Sequence, residues 1–132
     1  MDEPKRFRVL VTGSRTWTDH SAIQYALAPF RSRDAVLVHG NARGADRIAA
    51  GIWHAWGEHD EPHPADWERE GRAAGLRRNQ RMVDAGADVC LAFIQDNSCG
   101  ASHTADRAQA AGIPTMRHRR TTITRAPIQR ER

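Results

Sequence analysis

Three short segments rich in glycine and small polar residues have the composition of anion-binding loops, and each one follows an apolar run. They are Gly13-Ser14-Arg15, then residues 40–46 (GNARGAD), then residues 98–104 (SCGASHT). Small residues leave the first amides of a following helix uncovered, and these amides together with the helix dipole favour an anion such as phosphate. We therefore predict ligand contacts at Gly13, Ser14, Arg15, Gly40, Ala42, Gly44, Ala45, Asp46, Ser98, Gly100, Ala101, Ser102, His103 and Thr104.

The side chains in these segments suggest distinct tasks. A glycine at position 13 lets the backbone turn sharply and approach a ligand, while Arg15 offers a guanidinium fork suited to phosphate. Asp46 lies in the first turn of a predicted helix, where it can accept a hydrogen bond from a ribose hydroxyl or cap the helix. Segment 98–104 is the predicted main phosphate cradle, because Ser102 and Thr104 add hydroxyl donors. Plain strand-to-loop turns and capped helix starts explain the same patterns.

Other residues that could do chemistry lie between the second and third segments. Arg78 and Arg81 share a helix face, which is typical of a solvated basic helix as well as of a phosphate site. Trp67 lies in a loop, where it can stack on a base or pack against the protein. His54, His59 and His63 have irregular spacing with no cysteine among them, so we predict no metal site and no cofactor. The sequence contains no Walker A loop, no GxGxxG fingerprint and no GxSxG elbow.

Alternating strand and helix patterns position these segments. Strands are predicted over Phe7–Thr12, Ala35–His39, Asp88–Ile94 and Ile113–Met116, with a further short one within residues 57–70. Helices are predicted after Asp19, from about Ala42, over Glu70–Ala85 and over Ser102–Ala111. This alternation predicts an α/β fold, a three-layer α/β/α Rossmann-like sandwich with a mostly parallel sheet of about five strands. Ligands of such sheets bind outside the carboxyl ends of the strands, where all three segments would gather.

Length, charge and hydropathy limit the remaining possibilities. The 132 residues fit one domain, predicted over residues 1–117, followed by a basic tail over residues 118–132. Residues 117–132 hold six arginines and one glutamate, whereas residues 1–116 are close to neutral. Such a tail can contact nucleic acid, or it can be solvated chain. No long apolar run or signal-peptide pattern is present, so we expect a cytoplasmic protein that does not contact membranes. Cys90 and Cys99 need no disulfide.

The order of the motifs resembles a known family. VTGSRTW, VHGNARGAD, PADWERE with GRAAGLRRNQRM, and SCGASHTAD are together similar to the YspA/cpYpsA-related branch of the SLOG superfamily. That superfamily is related to the LOG phosphoribohydrolases and to the DNA-processing protein DprA. The resemblance covers roughly residues 7–117. It implies a Rossmann-like sheet, a nucleotide or nucleotide-derived ligand, a role as a sensor, and a homodimer, for which the apolar stripe at Trp53 and Trp56 could be an interface as well as core.

The resemblance also implies a possible enzymatic site. In LOG enzymes an ERKxxM helix motif and a PGGxGTxxE loop cleave the N-glycosidic bond of a nucleoside 5′-monophosphate. RRNQRM stands where ERKxxM would, so that Arg78 matches its arginine and Asn79 replaces its lysine, and Asp106 stands at the acidic end of the loop motif. The resemblance therefore makes Arg78 and Asp106 candidate catalytic residues of a phosphoribohydrolase, with Asn79 and Trp67 as ligand contacts. A DprA-like binding of nucleic acid through the basic tail is a second alternative.

Overall fold

The computed structural model describes residues 6–122, in which strands alternate with helices. The strands are β1 (Phe7–Gly13), β2 (Ala35–His39), β3 (Asp60–Pro62), β4 (Val89–Gln95) and β5 (Thr115–Arg120). The helices are α1 (His20–Leu27), α2 (Ala45–Ala55), α3 (Trp67–Glu70), α4 (Ala74–Ala85) and α5 (Cys99–Ala110), with 3₁₀ turns after α1 (Ala28–Phe30) and α3 (Gly71–Ala73).

The five strands form one parallel sheet in the order β3-β2-β1-β4-β5. The chain winds outward in one direction from β1 to β3 and then crosses over to β4, so the strand order reverses between β1 and β4. Such a reversal leaves a crevice between the two diverging connections, which is where Rossmann-like sheets bind ligands. The predicted Rossmann-like α/β fold is confirmed.

Helices cover both faces of this sheet, which explains why its central strands are continuous apolar runs. The side chains of Val9, Val11 and Leu37 lie in one core cluster with the buried residues of α1 and α2. Leu10 and Val38 point to the opposite face, where they pack with residues of α4 and α5. Every residue of β2 is buried, and its bounds agree with the prediction.

The start of α1 and the core tryptophan also follow the predictions. Asp19 caps α1, because its Oδ1 accepts a hydrogen bond from the amide of Ala22 at 3.1 Å. Trp53 is fully buried in the core, whereas Trp56 is half-buried at its side. The Trp53 part of the apolar stripe is therefore core and not an exposed interface, and a homodimer stays a prediction.

Four predicted boundaries shift by three residues or more, and one of them is the start of α2, which lies at Ala45 and not near Ala42. Helix α4 begins at Ala74 and not at Glu70, because Gly71 adopts a φ of 59° that ends the separate short helix α3. Helix α5 begins three residues before the predicted Ser102, since Ala101 and Ala105 pack against β4 and stabilise the first turn as helix. Strand β5 runs to Arg120, past the predicted Met116, and its pairing with β4 extends to Gln95.

Charged side chains are common on exposed edge strands, where the backbone still pairs with the neighbouring strand. The arginines near the end of β5 therefore resembled a loop in the sequence although they continue the strand. The last three residues of β5 lie within the segment predicted as tail, and residues 123–132 of that tail are outside the described range. No helix within residues 6–122 has the length and apolar character needed to cross a bilayer.

Candidate functional site

A cleft of about 630 Å³ opens at the carboxyl ends of β1 and β4, where the strand order reverses. All three predicted loops reach it. The predicted site residues that line this cleft are Gly13, Ser14, Arg15, Ala42, Asp46, Trp67, Arg78, Asn79, Ser98, Gly100 and Ala101. A smaller lobe of about 310 Å³ adjoins it and includes Gly40. The sheet thus brings residues of the four predicted motifs, which are distant in sequence, to one edge.

A larger groove of about 1040 Å³ lies at the other end of the sheet, near the start of β1. Three arginines line this groove, and two of them are already paired, Arg8 with Glu61 at 2.8 Å and Arg6 with Asp34 at 3.8 Å. None of the predicted loops lines this groove. We therefore place the candidate site at the carboxyl edge in spite of the smaller volume there.

Gly13 and Ser14 line the cleft and also join the end of β1 to β4. The amide of Ser14 donates to the carbonyl of Phe93 at 2.9 Å, and its Oγ accepts from the amide of Gln95 at 2.8 Å. A Cβ on Gly13 would overlap Ala45 and lie 2.9 Å from the Phe93 carbonyl oxygen. The close approach that requires glycine here is therefore between β1, β4 and α2.

Gly44 and Ala45 do not line the cleft, and their predicted role as ligand contacts stays a prediction. The amide of Ala45 donates to the carbonyl of Ser14 at 3.2 Å. Gly44 has a φ of 79°, and a Cβ there would overlap the carbonyl oxygens of Ser14 and Arg15. The N-terminus of α2 is thus closed by the β1 loop. Small residues are needed at 44 and 45 because the backbone packs there.

Asp46 occupies the place that an anion would take at this loop. Its Oδ2 accepts hydrogen bonds from the amides of Gly40 at 2.9 Å and Ala42 at 3.4 Å. Its Oδ1 is buried and has no hydrogen-bond partner within residues 6–122. Burial raises the pKa of Asp46, against the opposing effects of His39, the loop amides and Arg78. Since Oδ2 receives the amides, Oδ1 is the oxygen that carries the proton in the neutral form.

A hydrogen-bond chain behind this loop fixes its position, and no pattern in the sequence indicated it. His39 Nδ1 accepts from the amide of Asn41 at 3.0 Å, and Nε2 lies 2.6 Å from Asp60 Oδ2. Because an amide can only donate, the ring proton is on Nε2 and points to Asp60. The other oxygen of Asp60 lies 2.7 Å from His54 Nε2. Burial would raise the pKa of Asp60, but hydrogen bonds from His39 and His54 outweigh it and lower the pKa.

Arg78 is held in the cleft wall by three neighbours. Its Nη1 donates to the carbonyls of Gly40 at 2.5 Å and His63 at 3.4 Å, while its Nε donates to Asn79 Oδ1 at 2.7 Å. Arg78 is 7% exposed and Asn79 is 8% exposed, so neither belongs to a solvated helix face. Asn79, predicted as a ligand contact, orients the guanidinium group of Arg78.

Trp67 stands at the border between the cleft and the smaller lobe. It is 49% exposed, which leaves much of its indole free for a ligand. The guanidinium carbon of Arg15 lies 5.7 Å from the indole centroid, within the range of a cation–π contact. A Cβ on Gly75 would lie 3.3 Å from the indole, so the glycine makes room for Trp67 over α4.

Helix α5 presents its N-terminus to the cleft. Ser98, Gly100 and Ala101 line the cleft, and Ser98 makes no side-chain cap to the first amides. The exposed dipole end of a twelve-residue helix is therefore available to an anion at the switch point.

The second half of the predicted cradle and Asp106 lie outside the lining of the cleft, and their predicted roles stay predictions. Ser102, His103, Thr104 and Asp106 are absent from its lining. Thr104 is fully buried, and its hydroxyl donates to the carbonyl of Gly100 at 3.1 Å within the helix. Asp106 lies two residues further along α5 and pairs with Arg117 at 2.8 Å. Because α5 starts at Cys99 and not at the predicted Ser102, these side chains lie further along its body than predicted.

Several cleft residues were not predicted as contacts. Gln95 is the last residue of β4, and Asp96 and Asn97 follow it directly, so their position at a strand end was a usable signal. Arg72 and Leu76 come from the chain around α4, where the amphipathic pattern gave no sign of the cleft. No cluster of three or more metal-binding side chains occurs in the described part of the chain.

The site thus combines an open helix N-terminus, arginine side chains and an exposed indole at the switch point of a parallel sheet. This combination defines a Rossmann-like protein with a site suited to a phosphate-bearing, aromatic ligand. Residues 7–69 match the model of the "YspA, cpYpsA-related SLOG family". The chain belongs to this family, as the motif order predicted. Family membership supports a role in binding nucleotides or nucleic acids in general.

Two known proteins are similar to this chain over most of its length. Gene 61 protein of Mycobacterium phage D29 is 50% identical over 119 residues, covering 83% of this chain and 94% of the phage protein. The crystal structure of DNA processing protein A (DprA) from Streptococcus pneumoniae superposes with a TM-score of 0.71 at 14% identity. That match covers 85% of this chain but only 50% of the DprA chain, so it shows the shared fold of one part of DprA.

Proposed function

We propose that this chain is a binding module for a nucleotide, with a phosphate group at the N-terminus of α5 and the base against Trp67. The observation that carries the proposal is the uncapped α5 N-terminus, which faces a cleft that also holds the Arg78 guanidinium group. Helix amides and arginine side chains are the two groups that proteins use most directly for phosphate. A role as a sensor of that nucleotide follows if binding occurs without turnover.

The charge balance of the cleft supports an anionic ligand. Arg15, Arg72 and Arg78 line it together with two carboxyl groups, Asp46 and Asp96. Burial raises the pKa of Asp46, and its Oδ2 already accepts hydrogen bonds from the amides of Gly40 and Ala42. The carboxylate of Asp96 accepts two hydrogen bonds from Thr122, both at 2.7 Å. The positive groups therefore exceed the negative charge that remains free to repel phosphate.

Binding without hydrolysis is favoured over phosphoribohydrolase activity. Cleavage of an N-glycosidic bond needs a carboxyl group at the reacting carbon, and Asp106, the candidate for this task, lies outside the cleft in an ion pair. Asp46 and Asp96 line the cleft, but both already accept hydrogen bonds from the protein. We expect chromatography to detect no base released from nucleoside 5′-monophosphates above the rate without protein. Protein-dependent release would contradict this part of the proposal.

Ser98 offers a direct test of phosphate binding at α5. Ser98→Asp and Ser98→Asn both supply a good N-cap, so both are expected to fold, but only aspartate adds a negative charge beside the proposed phosphate. Calorimetry with the four common nucleoside 5′-monophosphates gives the affinities. We expect Ser98→Asp to weaken binding at least about tenfold relative to Ser98→Asn, the factor of one lost charge-assisted hydrogen bond. Equal affinities of the two variants, or no binding by the wild type, would contradict the proposal.

Trp67 gives a separate test of the base contact. Trp67→Phe keeps an aromatic face, whereas Trp67→Ala removes it, and stacking on one base contributes about 1–3 kcal/mol in comparable sites. We expect the alanine variant to bind the preferred monophosphate about tenfold more weakly than the phenylalanine variant. Inorganic phosphate should bind both variants equally, because it has no base to stack.

Binding of nucleic acid through the basic segment over residues 118–132 stays a prediction. Within it Arg120 is paired with Asp19, and residues 123–132 lie outside the described range. Removal of residues 123–132 should leave nucleotide binding unchanged if the cleft alone holds the ligand.

A further inference from the structure

The smaller lobe beside the cleft is lined by four arginines, and its other lining residues are uncharged. We call it the arginine lobe and define it by Arg15, Arg43, Arg47 and Arg78. It has a volume of about 310 Å³, and no aspartate or glutamate of residues 6–122 lines it. Guanidinium groups brought together without carboxylates repel one another, so such a lobe is stabilised when an anion enters it.

The arginine lobe gathers four arginines without a carboxylate, whereas six of the other twelve arginines in residues 6–122 make ion pairs. Arg8 pairs with Glu61, and Arg81 pairs with Glu70. The four lobe arginines make no ion pair within residues 6–122. Their contacts go instead to neutral groups, as shown by Arg47 Nε, which donates to the carbonyl of Asn41 at 3.3 Å.

The position of Arg78 supports a ligand on its remaining nitrogen. Nη1 and Nε of Arg78 are engaged by Gly40, His63 and Asn79, which fixes the plane of the guanidinium group. Burial lowers the pKa of Arg78, and the nearby Arg15 lowers it further, while Asp46 opposes both. Arginine stays protonated in proteins in spite of such effects, so the group is a fixed, partly desolvated cation at the border of the two compartments.

The arginine lobe and the main cleft share one wall. Arg15, Ala42, Trp67 and Arg78 line both of them, so a single ligand can extend from one into the other past the indole. A phosphate at the α5 N-terminus lies in the main cleft, because only the main cleft contains Ser98 and Gly100. A nucleoside monophosphate held there leaves Arg43 and Arg47, which line only the arginine lobe, without an anion.

We propose that the arginine lobe is a second anion subsite and that the ligand is a nucleotide carrying two separately bound phosphate groups, one in each compartment. This inference rests on the proposed nucleotide-binding function and names the class of nucleotide. A nucleoside diphosphate and a nucleoside 3′,5′-bisphosphate both have this chemistry. They differ in where the second phosphate is attached, and the experiment distinguishes them.

The experiment compares three ligands of one base by calorimetry at constant ionic strength. They are the preferred 5′-monophosphate from the panel above, its 5′-diphosphate and its 3′,5′-bisphosphate. We expect one of the two doubly phosphorylated ligands to bind the wild type at least about tenfold tighter than the monophosphate. Comparable affinities for all three ligands would overturn the second subsite and leave the proposed function intact. Absence of binding by every ligand would overturn both.

A pair of double variants then assigns the gain to the lobe. Arg43→Gln with Arg47→Gln removes two cations of the arginine lobe, and Arg33→Gln with Arg107→Gln removes the same charge away from both compartments. We expect the lobe variant to abolish the preference for the second phosphate while the monophosphate affinity changes by less than about threefold. The control variant should keep the preference.

Two outcomes would contradict the assignment. An equal loss of affinity for the monophosphate and for the doubly phosphorylated ligand in the lobe variant would mean that the arginines act only through long-range electrostatic attraction. Tighter binding of a ten-residue oligothymidylate than of any mononucleotide would mean that the second phosphate belongs to a nucleic-acid strand.

Discussion

Replacing Asp46 by alanine removes the acceptor of two backbone amides, whereas replacing it by asparagine keeps an acceptor in the same place. The Gly40 amide is buried and donates to Oδ2 at 2.9 Å, and the Ala42 amide donates more weakly at 3.4 Å. A buried donor left without a partner costs about 1–3 kcal/mol. We therefore expect Asp46→Ala to lower the free energy of unfolding by about 2–4 kcal/mol and Asp46→Asn by about 1 kcal/mol or less.

The pH dependence of stability, compared between the wild type and Asp46→Asn, tests the protonation of Asp46. Burial raises its pKa, so the folded protein keeps a proton that the unfolded chain loses near pH ~3.9. Between the two pKa values the folded state binds more protons than the unfolded state. The contribution of this carboxyl group to stability therefore falls as the pH rises from the unfolded pKa through the folded pKa. Asparagine has no such titration, so the stability of Asp46→Asn relative to the wild type should increase with pH.

Urea denaturation measures both effects. The fluorescence of the buried Trp17 and Trp53 reports unfolding, and the comparison is made at about pH 5 and about pH 8. Other titrating groups are common to the two proteins and cancel in the difference. If asparagine and alanine destabilise equally, the hydrogen bonds to Oδ2 do not matter as argued. If the wild type and Asp46→Asn keep a constant difference across pH, Asp46 is not the buried acid that we describe.

Three further expectations concern packing, acid sensitivity and thiol reactivity. Gly13→Ala should cost at least about 2 kcal/mol in urea denaturation because its Cβ meets β4 and α2, whereas Gly100→Ala, with open space around its Cβ, should cost nothing; equal losses would refute the close approach. A hydrogen bond from an arginine of β1 lowers the pKa of Glu61 to about 2, so its contribution to stability is complete above about pH 4.5 and disappears towards pH 2. Acid titration of Glu61→Gln should therefore show a shallower loss of stability in that range than the wild type. Burial raises the pKa of Cys90 to about 12, so a thiol reagent should modify only the exposed Cys99 until denaturant is added, and two reactive thiols in the native protein would contradict that burial.

The centre of the fold could be read from the sequence because its strands are buried on both faces. Residues 35–39 are apolar up to His39, and the structure places all of them inside. The edge of the sheet could not be read in the same way. Arg117, Arg119 and Arg120 resemble a solvated tail, and only the pairing with β4, which no local pattern contains, makes them a strand.

The sequence predicted the location of the candidate site more accurately than the residues that line it. Each strand of a parallel sheet ends at the same edge, so the three loops had to meet there. Small residues at that edge have two uses, and the sequence does not distinguish them. Gly100 leaves helix amides open to the cleft, whereas Gly44 admits the carbonyls of the neighbouring loop. Asp106 differs from the prediction for another reason. Helix α5 begins three residues before its predicted start, so Asp106 lies further along the helix than the sequence indicated.

The two sides of the cleft differ in how firmly they are built. Its floor is formed by the ends of β1 and β4, whose buried residues belong to the core, whereas α3 and the 3₁₀ turn after it contain no buried residue. Segments with few buried apolar contacts open at a small fraction of the global free energy, so amides of residues 67–73 should exchange with solvent much faster than those of the floor. A ligand that contacts both sides would therefore stabilise residues 67–73 against local opening. Slower deuterium uptake in these residues would then report ligand binding.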